Sequence, residues 1–265
     1  MNKRTLIAAA LAAGLAAAGA AQAAVSVDAG VEQFDWYEYF SPPPNVHEHG
    51  PVGFLGAAWT QQKDAGLLFA ASAKAYDGKI TYDGGVQDGF GNNTPFSTKT
   101  RYRGWQAEGD ALYRTLWSGW TTDWFAGLGV NQWSRRIRND SLPGGEQIED
   151  WRYYYLRTGL QIRQEGGLRW HGGIALTFPV QTHEDAHLTD FGADSNPELH
   201  PGKSIGGDLE VGYRFNPHWD LTGYYTIQDF GRSSEQLVDA GGLQFVVSQP
   251  RSRMQSLGVR VSYTF

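Results

Sequence analysis

The sequence predicts an all-β fold, a transmembrane antiparallel up-and-down β-barrel of about ten strands. Three observations support this prediction. Segments of strand length alternate apolar and polar side chains along the chain. The connections between these segments are alternately short and long. Beyond the first 23 residues, no run of about 18 apolar residues could form a membrane helix.

The final strand shows the alternation most clearly. The small or polar positions of this strand are Gly258, Arg260, Ser262 and Thr264. Successive strand side chains point to opposite faces, so one face of this strand is apolar and the other is polar. The apolar face consists of Leu257, Val259, Val261, Tyr263 and Phe265.

This segment resembles the C-terminal strand of bacterial outer-membrane β-barrels. That strand carries a terminal aromatic, a second aromatic two residues earlier and alternating apolar residues upstream. The resemblance implies that the five apolar residues form the signal recognised by the barrel assembly machinery. It also implies a place in the outer membrane of a Gram-negative bacterium.

The N-terminus has the pattern of a secretory signal peptide. Lys3 and Arg4 precede an apolar, alanine-rich run, and Ala21-Gln22-Ala23 is a small-x-small cleavage site. We therefore expect residues 1–23 to be removed during export. Residues 24–265 then form one barrel domain that begins at Ala24.

Composition excludes several classes of protein. The chain has no cysteine, so an exported form gains no stability from disulfides and no thiolate nucleophile is present. A formal charge of −6 gives no electrostatic reason to expect a nucleic-acid partner. The ten Trp and 34 Gly fit a barrel with aromatic girdles and tight turns.

Ten segments have the length of transmembrane strands. Short turns near Gln61–Gly66, Ser118-Gly119, Gln164–Gly167 and Asn216–His218 alternate with longer polar loops. Asp239–Val247 also alternates, which leaves counts of eight or twelve open. The ten predicted strands are Val25–Tyr39, Val52–Thr60, Leu67–Tyr82, Thr100–Leu116, Asp123–Ile137, Asp150–Arg163, Leu168–Gln181, Ser204–Phe215, Trp219–Gly231 and Arg251–Phe265.

The alternation places a set of charges inside the barrel. Charges in a narrow lumen must pair or stay hydrated. We predict a salt-bridge network that plugs the barrel, and a narrow polar pore gated by the same network is the alternative. The predicted lumen residues are Glu108, Asp110, Arg114, Arg157, Asp208, Glu210, Arg214 and Arg260.

The loop Thr182–Lys203 contains several carboxylates and imidazoles, a combination that could bind a divalent metal or serve as a general acid–base pair. Asp185 and His187 are the candidate catalytic pair, because a neighbouring acid and imidazole can act as general acid and base. The predicted architecture is similar to that of omptins, ten-stranded outer-membrane proteases with Asp and His at the extracellular rim. The string His183–His187 fits H-E-x-x-H, but that zinc motif requires a helix, so we interpret the match as accidental.

Two further groups have simpler interpretations. His47 and His49 flank Glu48 after Pro42-Pro43-Pro44, and two imidazoles are too few ligands for a metal site. Aromatic residues near strand ends are typical of membrane girdles. The outer girdle is predicted to contain Trp36, Tyr37, Tyr39, Trp151 and Tyr153, and the periplasmic girdle Trp117, Trp120, Trp124, Trp219 and Phe265.

The sequence therefore favours a non-enzymatic, monomeric outer-membrane barrel that presents long extracellular loops. It would act as a narrow porin-like pore or as a surface-binding protein. The alternative is an outer-membrane hydrolase, an omptin-like protease or a lipid-modifying enzyme, working at the extracellular rim. Outer-membrane lipid, lipopolysaccharide and the assembly machinery are the expected partners, with no nucleic acid, cofactor or metal.

Overall fold

A computed structural model describes residues 23–41, 45–87, 93–140, 145–165 and 169–265. Residues 1–22 of the predicted signal peptide lie outside the described residues, and Ala23 already begins the first strand. Among the described residues, no helix has the length and apolar character needed to cross a membrane.

Ten long strands form the wall of the barrel. Seven come first in the chain, and three follow after a long connection. They are β1 (Ala23–Tyr39), β2 (Val46–Gln61), β3 (Gly66–Gln87), β4 (Asn93–Trp117), β5 (Trp120–Arg138), β6 (Glu146–Gln164), β7 (Trp170–Ala186), β10 (Gly206–Arg214), β11 (Trp219–Gly231) and β14 (Arg251–Thr264).

Each wall strand pairs antiparallel with its neighbour, and the last returns to the first. Ser26 faces Thr264 and Tyr39 faces Arg251 at the two ends of the β1–β14 pair. The ring also closes between β7 and β10, where Gly206 faces Thr177. The prediction of a ten-stranded antiparallel barrel is confirmed, and the counts of eight and twelve are excluded.

Short elements occupy the connections. The region predicted as a further strand pair forms a separate hairpin outside the wall, with Ala240 facing Leu243. A 3₁₀ turn, Leu188–Phe191, follows β7. The short strands are β8 (Glu198–Leu199), β9 (Gly202–Lys203), β12 (Gln236–Ala240) and β13 (Leu243–Val247).

An apolar band encircles the outer face of the barrel. The C-terminal strand contributes Leu257, Val259 and Val261, which are exposed on this face, and Phe265 is exposed at its end. A slip by one residue would turn this face inward, so the band fixes the register. Other exposed members are Val31, Leu55, Phe69, Tyr113, Leu128, Leu156, Ile174, Leu209 and Leu221.

The wall continues well above this band. The second strand begins at Val46 rather than at the predicted Val52. The third strand ends at Gln87 rather than at Tyr82, and the fourth begins at Asn93 rather than at Thr100. Much of the predicted first and second loops is therefore strand. The ladder continues because the two-residue period continues, with buried side chains such as Ile80 and Tyr102 inside and exposed polar ones such as Arg101 outside.

The β4–β5 hairpin has a two-residue turn of left-handed backbone. Ser118 has φ 47° and Gly119 has φ 81°. A type I′ turn requires positive φ at both central residues, and its twist matches that of the flanking strands. Glycine tolerates this conformation because it lacks a Cβ.

We expect Gly119→Ala to lower the free energy of unfolding by about 1 kcal/mol, because alanine is strained in the left-handed region. Urea unfolding followed by tryptophan fluorescence measures the change. Gly109→Ala is the matched control, since a Cβ at this strand position meets nothing within 4 Å. Equal losses in both variants would contradict the interpretation of the turn.

Candidate functional site

Aromatic side chains fill the lumen above the level of the apolar band. Trp36 is fully buried, and its ring centroid lies 5.0 Å from Trp151 and 6.1 Å from Phe230. Trp133 stacks on Trp151 at 5.4 Å. The prediction that Trp36, Trp151 and Tyr153 belong to an outer girdle is wrong. Adjacent strand residues point to opposite faces, so Trp36 lies inside while Tyr37 lies outside.

We call this set the aromatic layer. Its rings span the barrel from β1 across to β6 and β11. Dense edge-to-face and stacked contacts leave the centre filled by side chains. The layer consists of Phe34, Trp36, Val52, Ile80, Tyr102, Trp133, Trp151, Tyr153, Tyr155 and Phe230.

A buried ion cluster adjoins the aromatic layer. Arg135 Nη1 lies 2.6 Å from Glu38 Oε1 and 2.6 Å from Glu149 Oε2, and Nη2 lies 3.0 Å from Glu48 Oε1. Tyr102 also donates its hydroxyl hydrogen to Glu48. One guanidinium therefore joins three carboxylates from β1, β2 and β6. Removing Arg135 would leave uncompensated buried charge.

Glu184 lies beside this cluster, and no ion pair joins it to any of the described residues. Its side chain is buried, and its Oε2 has no hydrogen-bond partner among the described residues. Burial raises the pKa of Glu184 well above the ordinary range, and the carboxylates of Glu149 and Glu38 add to this shift. Both effects favour the neutral acid over the carboxylate at this position.

Paired charges line the lumen below the aromatic layer. Arg157 Nη1 lies 3.2 Å from Glu108 Oε2, and its Nε lies 3.3 Å from Asp208 Oδ2. Arg260 Nη2 lies 3.1 Å from Glu210 Oε2. Six of the eight predicted lumen residues lie in this part of the barrel. Asp110 is the sixth, and its Oδ1 has no hydrogen-bond partner among the described residues.

The other two predicted lumen residues lie nearer the short-turn end. Arg114 makes a bidentate pair with Asp123, at 2.7 and 2.8 Å. Arg163 shares the same carboxylate at 2.7 Å. Arg214 lines an opening at this end together with Arg114 and Arg163.

The lumen encloses a cavity of about 410 Å³ between these layers. Its lining reaches from Ser26 and Ser262 near the short-turn end to Phe34, Tyr153 and Met254 under the aromatic layer. The cavity is mixed in character, with the Arg157 and Arg260 pairs on its wall. Its volume is within the usual range for a small-molecule pocket.

The candidate catalytic pair lies on the outer face of the wall. Asp185 is exposed and faces Asp150 of β6 and Glu198 of β8 across the ladder. His187 Nε2 lies 3.0 Å from Asp150 Oδ2. His183 to Ala186 are part of a strand, so the helix that an H-E-x-x-H zinc motif requires is not formed here.

The side chains of His47, Glu48 and His49 point to the two opposite faces of β2. Glu48 points into the ion cluster, whereas His47 and His49 point outward with ring centroids 4.7 Å apart. His47 Nε2 lies 2.8 Å from Asp35 Oδ1, and Tyr37 stacks on the His47 ring at 4.3 Å. An alternating strand explains this division.

Sequence analysis missed the ion cluster around Arg135. The signal was present, because three of its four charged members follow or precede a tryptophan by two residues on the same face, Glu48 being the exception. The pairs are Trp36 with Glu38, Trp133 with Arg135, and Glu149 with Trp151. Assigning Trp36 and Trp151 to a girdle turned Glu38 and Glu149 outward by the same parity.

Comparisons with known proteins concern the fold. No protein-family model and no curated protein matches the chain. The outer membrane protease OmpT from Escherichia coli aligns with a TM-score of 0.52 and 9% identity, covering 92% of this chain and 96% of that chain. The Pseudomonas putida toluene transporter TodX gives 0.41 and 11%, covering 94% and 90%. The fold is that of an outer-membrane β-barrel.

We expect Glu184→Gln to stabilise the barrel by about 1–3 kcal/mol at neutral pH, because the wild-type side chain must take up a proton or bury its charge when the barrel folds, whereas an amide does neither. A raised folded-state pKa means that the contribution of Glu184 to stability is fully present below its unfolded-state pKa and is lost as pH rises. The difference between the two proteins should therefore vanish below about pH 4.

Urea unfolding at a series of pH values measures this difference. Glu146→Gln makes the same substitution at a half-exposed carboxylate on β6, and serves as the matched control. A Glu184→Gln variant that is less stable than wild type at pH 7 would show that the charged form has a partner.

Proposed function

We propose that this chain is an outer-membrane surface protein whose barrel is closed to the passage of solutes. The observation that carries the proposal is the aromatic layer, which fills the lumen and is backed by the Arg135 ion cluster. A solute entering from the short-turn end would reach the cavity and meet Trp36, Trp151 and Phe230 above it. The closed lumen favours surface binding over a porin-like pore.

The apolar band supports a location in the membrane. Outward side chains within it are apolar apart from Thr158, and polar ones such as Gln33, Arg101 and Arg253 begin immediately above. A sheet closed on itself leaves no unpaired edge for the hydrocarbon to meet. On this proposal the short turns face the periplasm and the long connections face the outside of the cell.

The outer wall above the band offers a binding surface for lipopolysaccharide. Arginines on its outer face include Arg101, Arg103 and Arg152, which are exposed. Guanidinium groups match phosphate geometry and bind it bidentately. Arg101 and Arg103 share the single carboxylate of Asp77, so donors remain for an anionic headgroup.

A second candidate is a hydrolase at the extracellular rim. The hydrogen bond between His187 and Asp150 favours it, since a carboxylate can orient an imidazole that acts as a base. Asp185 lies on the same face. Loss of peptide or lipid hydrolysis in both Asp185→Asn and His187→Ala would support this function over a purely binding one.

We expect the wild-type barrel to show negligible conductance in a planar bilayer. The triple variant Trp36→Ala, Trp151→Ala and Phe230→Ala removes the centre of the aromatic layer and should produce measurable current steps. Trp124→Ala, on the exposed outer face, is the matched control and should stay closed. Steady conductance from folded wild-type protein would reject the closed-lumen proposal.

We expect Val259→Arg to destabilise the barrel in lipid vesicles by about 2–4 kcal/mol, the cost of arginine on a lipid-facing site near the midplane. Gln255→Arg places the same side chain on the same face of β14 but above the band, and should change little. Equal free energies of unfolding for the two variants would contradict the membrane location.

A further inference from the structure

The pairing of β8 with β7 decides which of the carboxylates and imidazoles of residues 182–203 come together. Glu184 faces Leu199 and Asp185 faces Glu198 across the ladder. Glu184 and Leu199 are both buried, so their neighbours on either strand point outward. The antiparallel register places His183 beside His200 next to the Asp185–Glu198 pair.

Three of these side chains come within reach of one ion. One ligand atom from each of His183, Glu198 and His200 lies within 4.8 Å of the other two. His183 Nδ1 lies 2.5 Å from Glu198 Oε1, and the two imidazole centroids are 5.0 Å apart. No other such group of three occurs within the part of the chain that the structure describes.

The backbone orients one of the imidazoles. His200 Nδ1 lies 3.1 Å from the Thr182 carbonyl oxygen. A carbonyl can only accept, so Nδ1 carries the hydrogen and Nε2 keeps a free lone pair. This contact with a backbone carbonyl is the outer-shell arrangement that commonly fixes the tautomer of metal-binding histidines. Thr182 is itself held in β7, which makes the orientation part of the wall.

We propose that His183, Glu198 and His200 form a binding site for a divalent transition metal such as Zn²⁺ on the outer wall above the apolar band. Two imidazoles and one carboxylate are a ligand set that zinc accepts, whereas Ca²⁺ and Mg²⁺ prefer oxygen ligands. Asp185, opposite Glu198, can supply a fourth ligand or leave that position to water.

The ligands must move closer together when the ion binds. Metal–ligand bonds near 2.0 Å place tetrahedral ligand atoms about 3.3 Å apart. Glu198 can make this adjustment, because its side chain is about half exposed at 53%. The ion would join β7 to the segment that follows the 3₁₀ turn. It would thereby fasten the long connection between β7 and β10 to the barrel wall.

The test is a Zn²⁺ titration by calorimetry on the mature barrel, folded in detergent, treated with a chelator and carrying no polyhistidine tag. We expect one ion per chain. His183→Ala and His200→Ala should each weaken binding at least about tenfold, since even outer-shell losses cost 10–100-fold. Co²⁺ in place of Zn²⁺ should give a visible spectrum typical of tetrahedral coordination.

Two histidine controls make the result specific. His218→Ala removes an imidazole in a short turn at the other end of the barrel, and should leave the affinity unchanged. The His47→Ala, His49→Ala double variant removes the other outward histidine pair, and should also leave it unchanged. Heat-modifiable gel mobility confirms that each variant is folded, and Glu198→Gln provides a milder ligand change.

Three outcomes would overturn the site. Folded wild-type protein could fail to bind Zn²⁺ in the micromolar range. The His183→Ala, His200→Ala double variant could retain wild-type affinity. The affinity could instead be lost in the His47→Ala, His49→Ala variant, which would move binding to the opposite part of the wall. None of these results bears on the closed lumen, which the conductance measurement tests separately.

Discussion

Closure of the sheet by the β1–β14 pair is the constraint on which the rest of the structure depends. It connects every backbone ladder into a ring and fixes the parity of all ten wall strands at once. Once Val259 and Val261 point outward, Arg260 must point into the lumen, where it meets Glu210 at 3.1 Å. A polypeptide in hydrocarbon has few alternatives, because unpaired backbone groups there are costly.

The lumen then has to be filled by the side chains that this parity directs inward. In the lower half they are charged and pair across a cavity, as Arg157 does with Glu108 and Asp208. In the upper half they are aromatic, with Arg135 and three glutamates alongside. A ten-stranded barrel is narrow enough for rings from opposite walls to touch. Because the barrel is this narrow, large side chains close its lumen. The proposed function is therefore surface binding rather than transport of solutes.

The long connection after β7 matters because part of it pairs with the barrel wall. Its β8 strand adds to the edge of β7 above the point where β10 leaves off, and so extends the ladder. The inner side of this extension carries Glu184 and Leu199. The outer side carries His183 on β7 and, on the segment that pairs with it, Glu198 and His200. The proposed metal site is a consequence of that register.

The sequence by itself determined the barrel and the direction of most wall residues, because a period of two is visible in the letters alone. It predicted about ten strands, and closure of the sheet decided between that count and eight or twelve. It also placed Glu108, Arg157, Asp208 and Glu210 in the lumen. Only the tertiary structure decided which charges meet, that Trp36 and Trp151 close the lumen, and that His183 lies by His200. These facts depend on contacts across the barrel and on pairing between distant segments, and local alternation carries no information about either.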